Sequence, residues 1–112
     1  MLDITTERNN GIAILRLTGR VISSSARSFE ERLLTLVAEG ETRFALDFHH
    51  CEFIDSSGIR VLLILLKKLN AASGALAVFG VSGHIMQVFT IAGLARLFRI
   101  EESEAAAVAA LG

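Results

Sequence analysis

Residues 53–59 read Phe53-Ile54-Asp55-Ser56-Ser57-Gly58-Ile59, two apolar residues, an acid, two hydroxyls and a glycine directly ahead of a long apolar segment. Upstream, Phe44-Ala45-Leu46-Asp47-Phe48 has the length and apolar character of a strand, and Ile59 to Leu69 is apolar at nearly every position. A strand, a connection and a helix are implied. Asp55, Ser56 and Ser57 then lie at the helix N-terminus, where side-chain oxygens accept hydrogen bonds from backbone N–H groups without intrahelical partners. The plainest reading of Ser56 or Ser57 is an N-cap, worth about 1 kcal/mol. Gly58, in the first turn, leaves the backbone open to close approach.

The pattern extends outward in both directions. Residues 2–7 mix apolar and polar side chains in near alternation, and the turn cluster Arg8-Asn9-Asn10-Gly11 leads into an apolar run over 12–17, which predicts a hairpin. Ser23-Ser24-Ser25 offers caps for a helix over 26–38, with Phe29, Leu33, Leu36 and Val37 recurring on one face and Gly40 ending it. A strand over 43–48, the helix over 58–72 and a stop at Ser73-Gly74 follow, then a strand over 75–79. A helix over 83–91, a short strand near 97–100 and an alanine-rich helix over 103–110 complete the chain, with Glu101-Glu102 placed to suit the last helix dipole. Strands that alternate with helices need crossover connections. The fold class expected is α/β, one domain over residues 1–112 with a mixed, mostly parallel sheet of about five strands and about four helices.

Composition narrows the function classes. Of 112 residues, 52% are hydrophobic, and 11 basic against 12 acidic side chains leave a net charge of −1, so the chain is too apolar for disorder and too balanced to attract nucleic acid. The apolar run Val61 to Leu66 is far short of the roughly 20 residues that span a bilayer. No basic segment leads into an apolar signal region at Met1-Leu2-Asp3, and the lone Cys51 has no partner for an internal disulfide. A cytoplasmic protein is expected, monomeric when free because no heptad repeat or extended apolar face is evident.

Four blocks in order carry a family resemblance. Asp55-Ser56-Ser57-Gly58, between a strand ending in Phe53-Ile54 and an apolar helix, resembles the phosphorylation motif of the STAS family of anti-sigma factor antagonists. Ala13-Ile14-Leu15-Arg16-Leu17-Thr18-Gly19-Arg20 is similar to that family's second strand and glycine turn. Gly74-Ala75-Leu76-Ala77-Val78-Phe79-Gly80-Val81-Ser82 resembles the later strand and loop, and Val88-Phe89-Thr90-Ile91-Ala92-Gly93-Leu94 the segment closing a helix before the last strand. The match runs from about Leu2 to Leu111. It departs after Gly19, where Arg20-Val21-Ile22 replaces the usual acidic and polar turn, so the partner surface near the first crossover differs.

The resemblance implies a bacterial switch protein that is not an enzyme. Its unphosphorylated form would bind an anti-sigma factor that is also a serine kinase and so free a sigma factor for transcription. Phosphorylation would break the complex, and a separate serine phosphatase would reset it. Matched onto this chain the acceptor is Ser56, with Ser57 as fallback. No cofactor is implied, because ATP and magnesium belong to the kinase. The alternative is a fixed STAS subunit of a larger assembly, a stress-signalling scaffold or a lipid-transport ATPase complex, with Ser56 a cap and Ile64 an anchor.

The remaining candidates are weighed on their residues. Arg60, Ile64, Lys67 and Ala71 fall on one stripe of the helix, so Ile64 either borders the core or joins Asp55, Ser56, Ser57, Gly58 and Arg60 in a partner-binding patch. His49-His50-Cys51 lacks metal-ligand spacing, since neighbours on an extended chain point to opposite faces. No metal is expected there; Cys51 reads as a small buried hydrophobe and the histidines as loop residues. Ser82 and His84 have no orienting acid or oxyanion hole in view, and Gly80-Val81-Ser82-Gly83 lacks the lysine of a phosphate loop, so no catalytic centre is read.

Overall fold

The computed structural model describes residues 1–112. One five-stranded sheet runs β1 (Leu2–Asn9), β2 (Ile12–Val21), β3 (Arg43–Ile54), β4 (Ala75–Phe79) and β5 (Arg99–Glu101), with the strands in chain order. The first pair is antiparallel across the Asn10-Gly11 turn, and every later neighbour is parallel. Four helices make or follow the crossovers: α1 (Ser23–Ala38), α2 (Ser56–Ala71), α3 (Gly83–Ile91) and α4 (Glu104–Leu111). A 3-10 turn at Leu94–Arg96 precedes β5.

The sheet is covered on both faces, because its central strands are apolar at odd and even positions alike. Ala13, Leu15 and Leu17 of β2 and Phe44, Leu46 and Phe48 of β3 face α1, α2 and α3 in the larger core cluster. Ile12, Ile14, Ala45, Ala77 and Phe79 project the other way, where Ala107 and Leu111 of α4, with half-buried Val108, close over them. Phe89 of α3 meets Phe48 and Phe98 edge to face, with ring centroids 5.6 and 5.8 Å away. Those contacts fix α3 beside α2 at the end of the sheet that carries residues 55–58.

Two strands outrun their expected ends. β3 continues beyond Phe48 to Ile54, so His49 and His50 are strand residues rather than loop residues. β2 continues beyond Leu17 to Val21, absorbing Gly19 instead of turning there. The cause is mutual pairing: Thr18 to Val21 lie beside His50 to Ile54 in parallel register, with irregularities between Arg16 and Thr18 and between Gly19 and Arg20. At Gly19 φ is +116°, and a Cβ there would stand 2.2 Å from the Met1 carbonyl oxygen. Only glycine tolerates both conditions. Cys51 is buried in the larger cluster, and burial pushes its thiol pKa up.

The helix starts also shift. α1 begins at Ser23, and the cap role falls to Ser25 from inside the helix, whose hydroxyl accepts the Ile22 N–H at 3.0 Å and donates to the Arg20 carbonyl at 2.7 Å. α2 begins at Ser56, two residues before the expected start. The last strand begins at Arg99, and Ser103 caps α4 by accepting the Ala106 N–H at 3.1 Å.

Candidate functional site

At the head of α2 the cap is Asp55, not Ser56 or Ser57. Its Oδ1 accepts the Ser57 N–H at 2.9 Å and the Gly58 N–H at 3.3 Å, the geometry of an N-cap carboxylate at a helix dipole. Its Oδ2 accepts the Ser23 N–H at 3.2 Å, which ties the first residue of α1 to the first turn of α2. The backbone cooperates, since the Asp55 N–H donates to the Val21 carbonyl at 3.0 Å, where β2 and β3 end together.

This assignment decides what the serines are free to do. With the orphan N–H groups answered by Asp55, the Ser56 hydroxyl makes no hydrogen bond within the protein and lies exposed, while Ser57 is half-buried. Gly58 is buried, and a Cβ at this position would stand 2.6 Å from Ile54 Cγ1 and 2.7 Å from Val21 Cγ1. Gly58 thus sets the depth at which α2 seats on the strand ends and presents Ser56 outward. The adjacent Asp55 carboxylate is engaged by backbone N–H groups and no base is hydrogen-bonded to the Ser56 hydroxyl, which is thus open to accept a group from an external enzyme.

The surroundings of Ser56 differ from the expected stripe. Asp55, Ser56, Ile59, Val88, Ile91 and Ala92 line a pit of about 290 Å³ between α2 and α3. Arg60 is exposed, and half-buried Ile64 lines a separate groove with Lys67, Lys68 and Ala71 farther along α2. Asp55, Ser56 and Ser57 are therefore brought together, with α3 as the neighbouring wall instead of Ile64. A signal for that wall was present in the sequence. α3 holds five large apolar side chains in nine residues, Ile85, Met86, Val88, Phe89 and Ile91, yet only Ile85 and Phe89 are buried. One helix face cannot bury so many.

Far from this end, on the α4 face, Arg16 joins Glu7, Asp47 and Glu104. Its Nε reaches Glu7 Oε2 at 2.7 Å, and its Nη1 reaches Asp47 Oδ2 and Glu104 Oε1, both at 2.9 Å. Asp47 Oδ1 also meets His49 Nδ1 at 2.8 Å and accepts the His49 N–H at 2.9 Å. Burial pushes the Asp47 carboxyl up, but the His49 bonds and the Arg16 guanidinium outweigh it and hold the pKa below the usual carboxylate value. Hydrogen bonding and charge from Arg16 hold Glu7 low as well. The network pins α4 and does not approach the residue 55–58 site.

Comparison with known proteins accords with this architecture. The STAS domain family model matches residues 3–107. BtrV of Bordetella bronchiseptica, provisionally named an anti-sigma factor antagonist, is 34% identical over 97% of this chain and 94% of its own length. An anti-sigma factor antagonist from Mycobacterium paratuberculosis superposes with a TM-score of 0.91 at 20% identity, covering 99% of this chain and 94% of that one. The Bacillus cell fate determinant SpoIIAA, solved in its phosphorylated form, superposes with a TM-score of 0.77 at 21% identity, covering 98% and 100%. With a family model spanning nearly every element and a relative of this identity along its whole length, the chain belongs to the STAS domain family.

Proposed function

We propose that this protein is an anti-sigma factor antagonist, a binding module switched by phosphorylation of Ser56. One observation carries the reading: Asp55 takes the capping role, so the Ser56 hydroxyl is exposed and committed to no bond within the fold. The names borne by its relatives, and a protein of the same fold in a phosphorylated form, support it.

In the reaction, the Ser56 Oγ attacks the γ-phosphorus of ATP held by the partner kinase. The hydroxyl proton passes to a base of the kinase and ADP leaves. The product adds about −1.5 to −2 charge at neutral pH, beside a helix N-terminus that favours anions by up to about 2 kcal/mol. The fold therefore tolerates the group. An interface closed over Ser56 does not, because the phosphate must be desolvated next to the Asp55 carboxylate. A penalty of about 2.7 kcal/mol lowers affinity about hundredfold. The unphosphorylated chain thus holds the anti-sigma kinase and frees the sigma factor, and a serine phosphatase restores that state. Asp55, Ser57 and Arg60 border the acceptor in this reading, Gly58 supports it from beneath, and Ile64 lies at the far margin of the contact.

Incubation with the cognate kinase and ATP, followed by mass spectrometry, tests the proposal. One phosphate on Ser56 is expected, Ser56→Ala abolishes incorporation, and Ser56→Asp weakens the kinase complex. Undiminished labelling of the alanine variant would move the acceptor to Ser57. A kinase complex indifferent to Ser56→Asp would remove the switch.

A further inference from the structure

The surface beside Ser56 continues along α3 and across the ends of β2 and β3. His84, Val88 and Ile91 recur at helical spacing on α3. At one end of that stripe Val88, Ile91 and Ala92 wall the pit that opens at Ser56. Ile91 is 87% exposed, the most exposed large apolar side chain outside the terminal Met1. At the other end His84 stacks on Phe53, with ring centroids 5.8 Å apart and planes 23° apart, and the Arg20 guanidinium carbon lies 5.8 Å from the same ring's centre. Phe53 is half-buried, so this platform reaches solvent.

The two ends differ in chemistry. The pit is apolar apart from its rim of Asp55 and Ser56. The platform carries a cation, and no carboxylate lies within ion-pair distance of Arg20. Arg20 is also where the sequence leaves the acidic turn that the family resemblance leads one to expect. The Asp55 carboxylate accepts three backbone N–H groups and makes no ion pair with Arg20.

We propose that this α3 stripe and the Arg20–Phe53 platform select the partner: the occupant is the serine kinase that phosphorylates Ser56, seating an apolar side chain in the pit and an acidic side chain over Arg20. The inference rests on the Ser56 reading and adds the residues that decide which kinase is accepted. Both features suit such an anchor. An apolar side chain in the pit excludes water next to the acceptor hydroxyl, where a docked anchor contributes most. A carboxylate over Arg20 adds orientation and rejects partners with a basic surface at that place.

Steady-state phosphorylation of Ser56 by that kinase, with KM and kcat determined separately, is the test. Ile91→Asp and Arg20→Glu are each expected to raise KM about tenfold with kcat little changed, because neither residue touches the reacting atoms. Leu97→Asp, an equally drastic change at a half-exposed apolar residue beside Gly74 and Ala75 at the other end of β4, leaves KM unaltered. Circular dichroism verifies that each variant folds, and Ile91→Ala with Arg20→Ala supplies milder versions of the same changes. Wild-type labelling with unaltered KM in the Ile91 and Arg20 variants overturns the docking surface and leaves the Ser56 switch standing. Failure of the wild-type chain to be labelled overturns both.

Discussion

Asp55 Oδ2 accepts the Ser23 N–H at 3.2 Å, so a single carboxylate caps α2 and holds the start of α1 against it. Replacing it removes the α2 cap and a contact between elements at once. Asp55→Ala is expected to lower stability by about 1–2 kcal/mol, the upper range for a lost cap, and Asp55→Asn by less, since the amide oxygen still accepts. Urea denaturation followed by circular dichroism measures both.

Gly58 offers a test of how α2 seats. The Cβ of Gly58→Ala would press on Ile54 and Val21 side chains that are themselves buried. Overpacking typically costs about 1–3 kcal/mol, and alanine's better helix propensity returns at most about 1 kcal/mol. Net destabilisation of about 1–2 kcal/mol is expected, with a lower denaturation midpoint and an unchanged m-value.

Acid stability depends on the Arg16 network. Asp47 and Glu7 have folded pKa values below their ordinary ones, so the unfolded chain takes up their protons first as pH falls. Their stabilising contribution is complete above the ordinary carboxylate range of about 4 and is lost as pH drops through the lower, folded values. Asp47→Asn is expected to flatten the dependence of melting temperature on pH below about 4 and to leave its form near neutrality unchanged. Calorimetric scans across that range give the answer.

Leu111 seals the smaller core cluster from α4, at 6% exposure. Leu111→Ala is expected to cost about 2 kcal/mol, the low end for such truncations, because α4 can open instead of holding a cavity. Hydrogen exchange locates the effect: the amides of Glu104–Leu111 lose protection while those of β3 keep theirs.

Much of the fold is legible in local chemistry. The bounds of β4 and α3 follow from punctuation, Ser73-Gly74 before one and Ser82 before the other. β2 and β3 outran their apolar runs because Thr18 to Arg20 and His49 to Glu52 become strand by pairing between segments distant in the sequence, Thr18 beside His50 and Arg20 beside Phe53, which no local pattern records. The cap was misplaced for a related reason. Asp, Ser and Ser are all good N-caps, and which one serves is decided by where β3 ends, at Ile54, leaving Asp55 at the junction. The division of the core into two clusters was hidden too, since a strand apolar on both sides does not say which helix lies on which face. Around Ser56 the motif is readable, and its wall only as the apolar surplus of α3, whose place beside α2 no local pattern records. Ile59 precedes Val88 by 29 residues, and their meeting depends on Phe89 being held between Phe48 and Phe98.

The sheet's two borders bear on how such a molecule stays separate in a crowded cell. On one side it stops at a strand of three residues, and on the other β1 presents Asp3, Glu7 and Arg8 to solvent. Short or charged margins of this kind resist lengthening by a stray extended chain, the route by which open sheets polymerise. Both borders of the sheet are thus guarded against edge-on pairing, the association hardest to reverse, and the surface left open to partners is the one at the helix ends.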